Sequence, residues 1–145
     1  NPSLPLVLDS GCGTGRSTLE IGRRYPDLPV IGIDKSVVRL SRTRAFREQQ
    51  ADLLPPNVKL VRADLIDFWV LASDLVARGR WDVKHHFILY PTPYPKGKRV
   101  KQRWHGHPVF PFLLDLEADE LTLRSSWETY LFEFAEAYLP VHLCT

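Results

Sequence analysis

The chain has 145 residues, of which 44% are hydrophobic and 25% charged, and its formal net charge is +2. A chain of this length is expected to form one domain, residues 1–145, with a buried core of its own. No apolar stretch is long enough to cross a bilayer and no signal peptide opens the chain, so a membrane partner is not expected. The two cysteines, Cys12 and Cys144, lie far apart without metal-ligand spacing, which predicts a reduced, cytoplasmic protein. We expect a monomer.

Five short apolar runs bounded by turn residues are typical of the buried strands of a parallel sheet. In chain order they are Leu6–Leu8, Val30–Ile33, Val58–Val61, Val83–Tyr90 and Leu121–Leu123. A further run, Leu139–Thr145, is predicted to begin a sixth strand, after which the chain is expected to be truncated.

Segments with helical periodicity separate these runs. They are Arg16–Tyr25, Ser36–Asp52, a segment through Phe68, Leu71 and Leu75, Pro108–Leu116, and Trp127–Tyr138. Strands that alternate with helices predict a doubly wound α/β fold with a mostly parallel sheet, which is a Rossmann-like core. Residues 91–107 are rich in proline, glycine and basic side chains and are predicted to form a long functional loop.

The segment Asp9–Gly15, here called the glycine loop, lies where the first predicted strand gives way to a helix. Glycine lets the backbone approach a ligand closely, and the helix start offers free N–H groups to an anion. A dinucleotide fingerprint would need glycine where the chain has Arg16, which disfavours a pyrophosphate ligand. An acid two positions before the first glycine suits the methionine end of S-adenosylmethionine (SAM), with Asp9 near its ammonium group. The predicted cofactor-binding residues of this loop are Asp9, Gly11, Gly13 and Gly15.

Two more acids follow at predicted strand ends. Asp34 ends the second strand, about 20 residues beyond the loop, where a carboxylate can bond both ribose hydroxyls of the cofactor. Asp64 ends the third strand and could accept a hydrogen bond from the adenine amino group. A strand-end aspartate often caps the next helix, so each acid alone has a structural explanation. Three of them at successive strand ends, with the glycine loop on the first, predict a SAM site.

The segment Tyr90–Lys96, here called the proline loop, follows the fourth strand at the place where open α/β folds carry their ligands. Tyr94 or Trp104 could stack on a base, and the basic residues could contact phosphates. A charge run of this kind is usually a solvated surface loop, but its place beside the expected methyl-transfer site favours RNA as the partner. The predicted phosphate contacts, here called the basic run, are Lys96, Lys98, Arg99, Lys101 and Arg103.

With these motifs the chain resembles the bacterial tRNA (guanine-N7)-methyltransferases over nearly its whole length. The motifs that carry the resemblance are Asp9–Gly15, Gly32–Asp34, Ala63–Asp64, Pro91–Lys96 with its basic tail, and Ser125–Tyr130. The resemblance implies SAM-dependent methylation of a tRNA guanine at nitrogen 7. It also implies that Asp9, Asp34 and Asp64 bind the cofactor and that Lys96 binds the substrate.

Three features depart from the family's pattern. Thr92 stands where the family's Pro-Asp-Pro motif has an aspartate placed for both cofactor and target base, which makes Thr92 the candidate catalytic position. Ser126 stands for the aspartate of a Thr-Asp-x-x-x-Tyr motif whose tyrosine is Tyr130, and both are candidate substrate-binding residues. The family's Thr-x-Phe-Glu motif has no counterpart here. Two functions stay open: an RNA methyltransferase, and a catalytically weak SAM-binding relative that serves as an RNA- or partner-binding module.

Four histidines, His85, His86, His105 and His107, raise the question of a metal site. Adjacent residues on a strand point to opposite faces, so His85 and His86 cannot both join one cluster. No Cys-x-x-Cys or His-Glu-x-x-His spacing is present. We therefore expect no bound metal, and we interpret Cys12 as a small loop residue.

Overall fold

A computed structural model of the chain describes residues 2–36 and 55–143. The helix predicted over Ser36–Asp52 falls almost wholly outside these residues. The described strands are β1 (Leu4–Ser10), β2 (Val30–Asp34), β3 (Val58–Arg62), β4 (Trp81–Leu89) and β5 (Glu120–Arg124). The described helices are α1 (Arg16–Arg24), α2 (Leu65–Ala77), α3 (Phe110–Leu114) and α4 (Glu128–Leu143), with 3-10 turns at Gly97–Gln102 and Trp104–Gly106.

The five strands form one sheet in the order β3-β2-β1-β4-β5, and every neighbouring pair is parallel. Ser10, the last residue of β1, lies opposite Ile33 of β2 and Ile88 of β4, so the carboxyl ends of these strands share one edge. The strand order reverses between β1 and β4, and ligands of open α/β sheets bind in the crevice at such a point. The predicted doubly wound, Rossmann-like fold is confirmed.

Alternation along the strands builds a hydrophobic core on each face of the sheet, because successive side chains of a strand point to opposite sides. Leu6, Leu8 and Ile88 pack with side chains of α2, α3 and α4 on one face. Val7 and Phe87 pack with α1 on the other face.

Helix α1 lies unusually close to the sheet, and glycines make that approach possible. A Cβ atom on Gly22 of α1 would collide with the Val58 side chain, and one on Gly32 of β2 would collide with the Thr18 side chain. This tight packing fixes the start of α1, and with it the glycine loop, against the ends of β1 and β2.

The sixth strand predicted over Leu139–Thr145 is wrong for residues 139–143, which continue α4. A short apolar run fits a buried helix as well as a strand, so periodicity alone could not separate the two. The helical spacing of the buried Tyr130 and Phe134 was the better guide, because it continues directly into this segment. Among the described residues, no helix has the length and apolarity needed to cross a membrane.

Candidate active site

The glycine loop is tied to the end of β2 by its own backbone. The N–H groups of Gly11 and Cys12 both donate to the Ile33 carbonyl, at 2.8 and 2.9 Å. The Gly13 N–H donates to Oδ2 of Asp34 at 2.9 Å. The loop needs glycine because three residues adopt left-handed conformations, with φ of 76°, 59° and 88° at Gly11, Gly13 and Gly15.

Asp9 is completely buried beneath this loop. Its Oδ2 accepts hydrogen bonds from the hydroxyls of Ser17 and Thr18, at 2.6 and 2.8 Å, which anchors the first turn of α1. Burial raises the pKa of Asp9, and the two hydroxyls oppose that rise. Its Oδ1 is also buried and has no hydrogen-bond partner among the described residues. A buried carboxylate oxygen without a donor is the kind of atom that a cationic ligand group would stabilise.

A cavity of about 510 Å³ opens at the carboxyl edge of the sheet, between the glycine loop and the proline loop. Four predicted site residues border it: Gly11, Asp34, Asp64 and Thr92. Asp9, Gly13 and Gly15 do not line the cavity; they belong to the glycine loop, of which Gly11 forms part of the wall. The opposite wall carries four aromatic rings, which are those of Tyr90, Tyr94, Trp104 and His107.

The two acids at the cavity wall are held differently. Asp34 is nearly buried, and each of its carboxylate oxygens accepts a backbone N–H, from Gly13 and from Ser36. Asp64 is exposed and caps α2, where its Oδ1 accepts the Ile66 N–H at 2.8 Å. The capping explanation of Asp64 is therefore correct, and its side chain still borders the cavity.

The proline loop has an unusual backbone. Tyr90 and Tyr94 adopt left-handed conformations, with φ of 54° and 46°, although neither is glycine. Such conformations are disfavoured for bulky residues and persist only where the surroundings hold them. Thr92 lies between the two tyrosines, exposed at the cavity wall.

Arg103 closes the basic run but does not face solvent, since only 4% of its surface is exposed. Its Nε and Nη2 donate to the Tyr94 and Pro95 carbonyls, at 3.1 and 3.2 Å, and its Nη1 donates to Oε1 of Glu133 at 2.7 Å. The guanidinium also lies 4.9 Å from the centre of the Trp127 ring. Arg103 was predicted to contact phosphate, and we correct that prediction because its donors are bound inside the protein.

The other basic residues of the run are exposed: Lys96, Lys98, Arg99 and Lys101. They lie on or directly before the first 3-10 turn, whose last residue, Gln102, borders the cavity. Four exposed positive side chains therefore lie on the segment that leads to the cavity wall at Gln102.

Ser126 and Tyr130 lie away from the cavity wall. Ser126 is exposed just beyond β5. Tyr130 is completely buried, and its hydroxyl accepts the Trp104 N–H at 3.2 Å. A direct substrate contact by Tyr130 is therefore contradicted, because its side chain is buried and its hydroxyl is bonded to the Trp104 backbone.

A family model described as "Putative methyltransferase" matches residues 3–138. The chain belongs to this methyltransferase family. It is 31% identical to the tRNA (guanine-N(7)-)-methyltransferase of Mycobacterium ulcerans over 81% of this chain and 38% of that protein. The chain spans about two fifths of the length of the curated relatives it matches.

Solved structures share the fold of this methyltransferase. The aminoglycoside resistance methyltransferase NpmB1 superimposes with a TM-score of 0.57 at 22% identity, over 97% of this chain and 68% of that one. The 16S rRNA (adenine(1408)-N(1))-methyltransferase from Catenulisporales acidiphilia, solved with cosubstrate SAM, gives a TM-score of 0.50 at 22% identity, over 83% and 56% of the two chains.

A buried polar network lies under the cavity, and the sequence pattern did not predict it. Ser10 Oγ lies 2.7 Å from Nε2 of His86 and accepts the indole N–H of Trp69 at 3.0 Å. The Trp69 ring in turn packs edge-on against Trp104, with centroids 4.7 Å apart. Burial lowers the pKa of His86 to about 3, so the imidazole is neutral. These partners are 59 and 76 positions apart, so no local pattern could reveal them.

Neither a metal centre nor a reactive thiol is evident in this part of the methyltransferase. Within residues 2–36 and 55–143, no three His, Cys, Asp or Glu side chains form a group that could hold a metal ion. Burial raises the pKa of Cys12 to about 12, so its thiol stays protonated at neutral pH.

Proposed function

We propose that this methyltransferase domain transfers a methyl group from SAM to nitrogen 7 of a guanine in tRNA. The observation that carries the proposal is that one cavity is lined both by Gly11, Asp34 and Asp64 and by Thr92 and the aromatic residues of the proline loop. The cavity lies at the switch point of the sheet, where α/β enzymes bind their ligands.

The cofactor half of this proposal is supported by the donors and acceptors at the glycine loop. Asp34 would bind the ribose hydroxyls, and Asp64 would accept from the adenine amino group. The unpaired, buried Oδ1 of Asp9 fits the cationic methionine end of SAM, which would give it a partner. SAM supplies the electrophilic methyl group, and these residues would orient it toward the opposite wall.

The substrate half is supported by the rings and charges beside the cavity mouth. Tyr94 and Trp104 offer faces on which a base could stack, and the exposed lysines and Arg99 could contact the phosphates around it. Nitrogen 7 of guanine has an in-plane lone pair and carries no proton, so its attack on the methyl group needs no general base. Orientation of the reactants is then the main contribution, worth roughly 7–11 kcal/mol at best. Thr92, which has no carboxylate, is compatible with that chemistry.

The names of the curated relatives add support from outside the cavity, since they are tRNA (guanine-N(7)-)-methyltransferases. A tRNA substrate would also give the protein a cytoplasmic site of action. We further propose that the chain acts as a monomer with one domain. The competing function, a SAM-binding module without turnover, would need the same cofactor contacts but no productive substrate contact.

Labelled methyl transfer from SAM to total tRNA, followed by nucleoside analysis, tests the proposal. We expect the label in 7-methylguanosine. Asp34→Ala should lose the label, and Asp74→Ala is its matched control, because Asp74 is an exposed acid on α2 that pairs with Arg78. SAM binding without any labelled nucleoside would favour the module, and label in a different nucleoside would contradict the assignment to guanine.

A further inference from the structure

We infer that Arg103 and Glu133 form a clamp that holds the proline loop in its cavity-facing shape, which makes Arg103 a positioning residue for methyl transfer. The inference rests on the proposed function for its effect on rate. The clamp itself rests on contacts that are independent of any substrate.

The proline loop has fewer N–H groups for its own support than the glycine loop has. Pro91, Pro93 and Pro95 have no backbone N–H to donate. Tyr90 donates its N–H to the Arg124 carbonyl at 2.8 Å, which fixes only the start of the loop. The carbonyls remain as points of attachment, and they need an external donor.

Arg103 supplies that donor in a geometry that only a guanidinium provides. Two of its N–H groups reach two consecutive carbonyls, those of Tyr94 and Pro95, while a third meets Glu133. The planar fork of arginine fixes the relative directions of these bonds, and a lysine ammonium has no such fork. The held carbonyls include that of Tyr94, the residue whose left-handed backbone needs support.

Glu133 on α4 fixes Arg103 in turn. Its Oε1 accepts from Arg103 Nη1 at 2.7 Å and lies 3.0 Å from Nε2 of His105. The hydrogen bond with His105 and the contact with Arg103 lower the pKa of Glu133, so it is a carboxylate at neutral pH. His105 belongs to the same 3-10 turn as Trp104, which lines the cavity. Glu133 therefore fixes both the proline loop and the part of the cavity wall that Trp104 forms.

The clamp can be weakened without removing charge. Arg103→Lys keeps the positive charge but loses the fork, and Glu133→Gln keeps an acceptor oxygen but loses the charge. Arg78→Lys is the matched control, because Arg78 forms an exposed ion pair with Asp74 on α2, away from both loops. The reciprocal exchange, Arg103→Glu with Glu133→Arg, separates a clamp from a simple ion pair, since a carboxylate cannot donate to the two carbonyls.

Two readouts on the full chain test the inference. The first is methyl transfer to tRNA, resolved into kcat, KM and SAM affinity. We expect Arg103→Lys to lower kcat at least 10-fold with the SAM dissociation constant changed less than 2-fold. Glu133→Gln should lower kcat less, and the reciprocal exchange should not restore it. Arg78→Lys should leave kcat unchanged.

The second readout needs no activity. Trypsin cuts after lysine and arginine, and the basic run carries four exposed sites beside the clamp. Mass spectrometry measures the rate of cleavage between residues 96 and 102. We expect this rate to be at least 5-fold higher in Arg103→Lys and in Glu133→Gln than in wild type or in Arg78→Lys. Melting temperatures identify a variant that unfolds globally, and Glu133→Gln then carries the test.

Unchanged cleavage and unchanged kcat in both clamp variants would overturn the inference, as would restoration of kcat by the reciprocal exchange. If wild type fails to methylate tRNA, the proposed function fails and the trypsin result alone decides the clamp. Faster cleavage would then support it, and equal cleavage would overturn it.

Discussion

The two loops that face each other across the cavity are held by different means. The glycine loop is bound by backbone N–H groups to Ile33 and Asp34, residues of the neighbouring strand. The proline loop, with three residues that lack an N–H, depends on Arg103, and Arg103 depends on Glu133, 30 residues further along the chain. The cofactor side of the site is therefore held by backbone bonds to the adjacent strand, whereas the substrate side depends on side-chain bonds that need helix α4 in place. Changes on the first side should alter SAM affinity, and changes on the second should alter RNA binding and rate.

The largest expected effect is on the cofactor side, at Asp34. Asp34→Ala removes the predicted bond to ribose and also the acceptor for the Gly13 and Ser36 N–H groups. Loss of a charge-assisted contact costs about 1.5–3 kcal/mol, so SAM affinity should fall roughly 10- to 100-fold in calorimetry. Asp74→Ala, at an exposed position of α2, serves as control. If Asp34→Ala folds normally and binds SAM as tightly as wild type, Asp34 does not bind the cofactor.

The next effect belongs to the substrate side, at the exposed part of the basic run. Neutralising Lys98, Arg99 and Lys101 to glutamine should lower RNA affinity and reduce the slope of log K against log salt by about two units, because each phosphate contact adds somewhat under one unit. The matched control neutralises Lys59, Arg78 and Arg80, which are exposed toward the opposite edge of the sheet. An equal loss of affinity in both triple variants would mean that only net charge matters and that the run is no binding site.

A smaller effect is expected at Thr92, where the resembled family has an aspartate. An aspartate is a stronger acceptor than a threonine hydroxyl for an amino-bearing base edge, by about 1–2 kcal/mol, or roughly 5- to 30-fold in rate. We therefore expect Thr92→Asp to raise the initial rate of guanine methylation while SAM affinity stays nearly constant. Thr92→Asn is the uncharged control. A slower Thr92→Asp enzyme would show that the threonine suits a different geometry or a different base.

The last prediction concerns the stability of the fold, which the network beneath both loops makes dependent on pH. The pKa of His86 is about 3 in the folded protein and near 6.5 in an unfolded chain, so the unfolded state binds a proton that the folded state does not. The free energy of unfolding should therefore fall as pH is lowered from about 6.5 toward 3, by up to about 1.4 kcal/mol per pH unit. Asp9, whose pKa is raised, contributes with the opposite sign. The test therefore compares the free energy of unfolding of wild type and His86→Gln, measured in urea at several pH values. A difference between the two proteins that does not change with pH would contradict the prediction.

The contrast between the loops also explains which parts of the protein were predictable. Strand and helix periodicity, the left-handed glycines and the capping role of Asp64 are local, so the sequence pattern predicted the sheet and the cofactor side. In the sequence, Arg103 cannot be distinguished from the other basic residues of its run. Its burial beneath Trp127 and its pairing with Glu133 depend on how α4 packs, which no local pattern shows. Tyr130 was misinterpreted for the same reason: its hydroxyl reaches Trp104 only after α4 has docked.

The dependence of the proline loop on α4 also sets an order in time. Chains leave the ribosome amino end first and begin to fold as they emerge. The N–H groups of Gly11, Cys12 and Gly13 have their acceptors once β2 is made, whereas Glu133 is added 30 residues after Arg103. The cofactor wall of the cavity can thus be complete during synthesis while the substrate wall is still unfinished. A stalled chain that ends before residue 133 should expose its basic run to protease and gain protection only when α4 emerges.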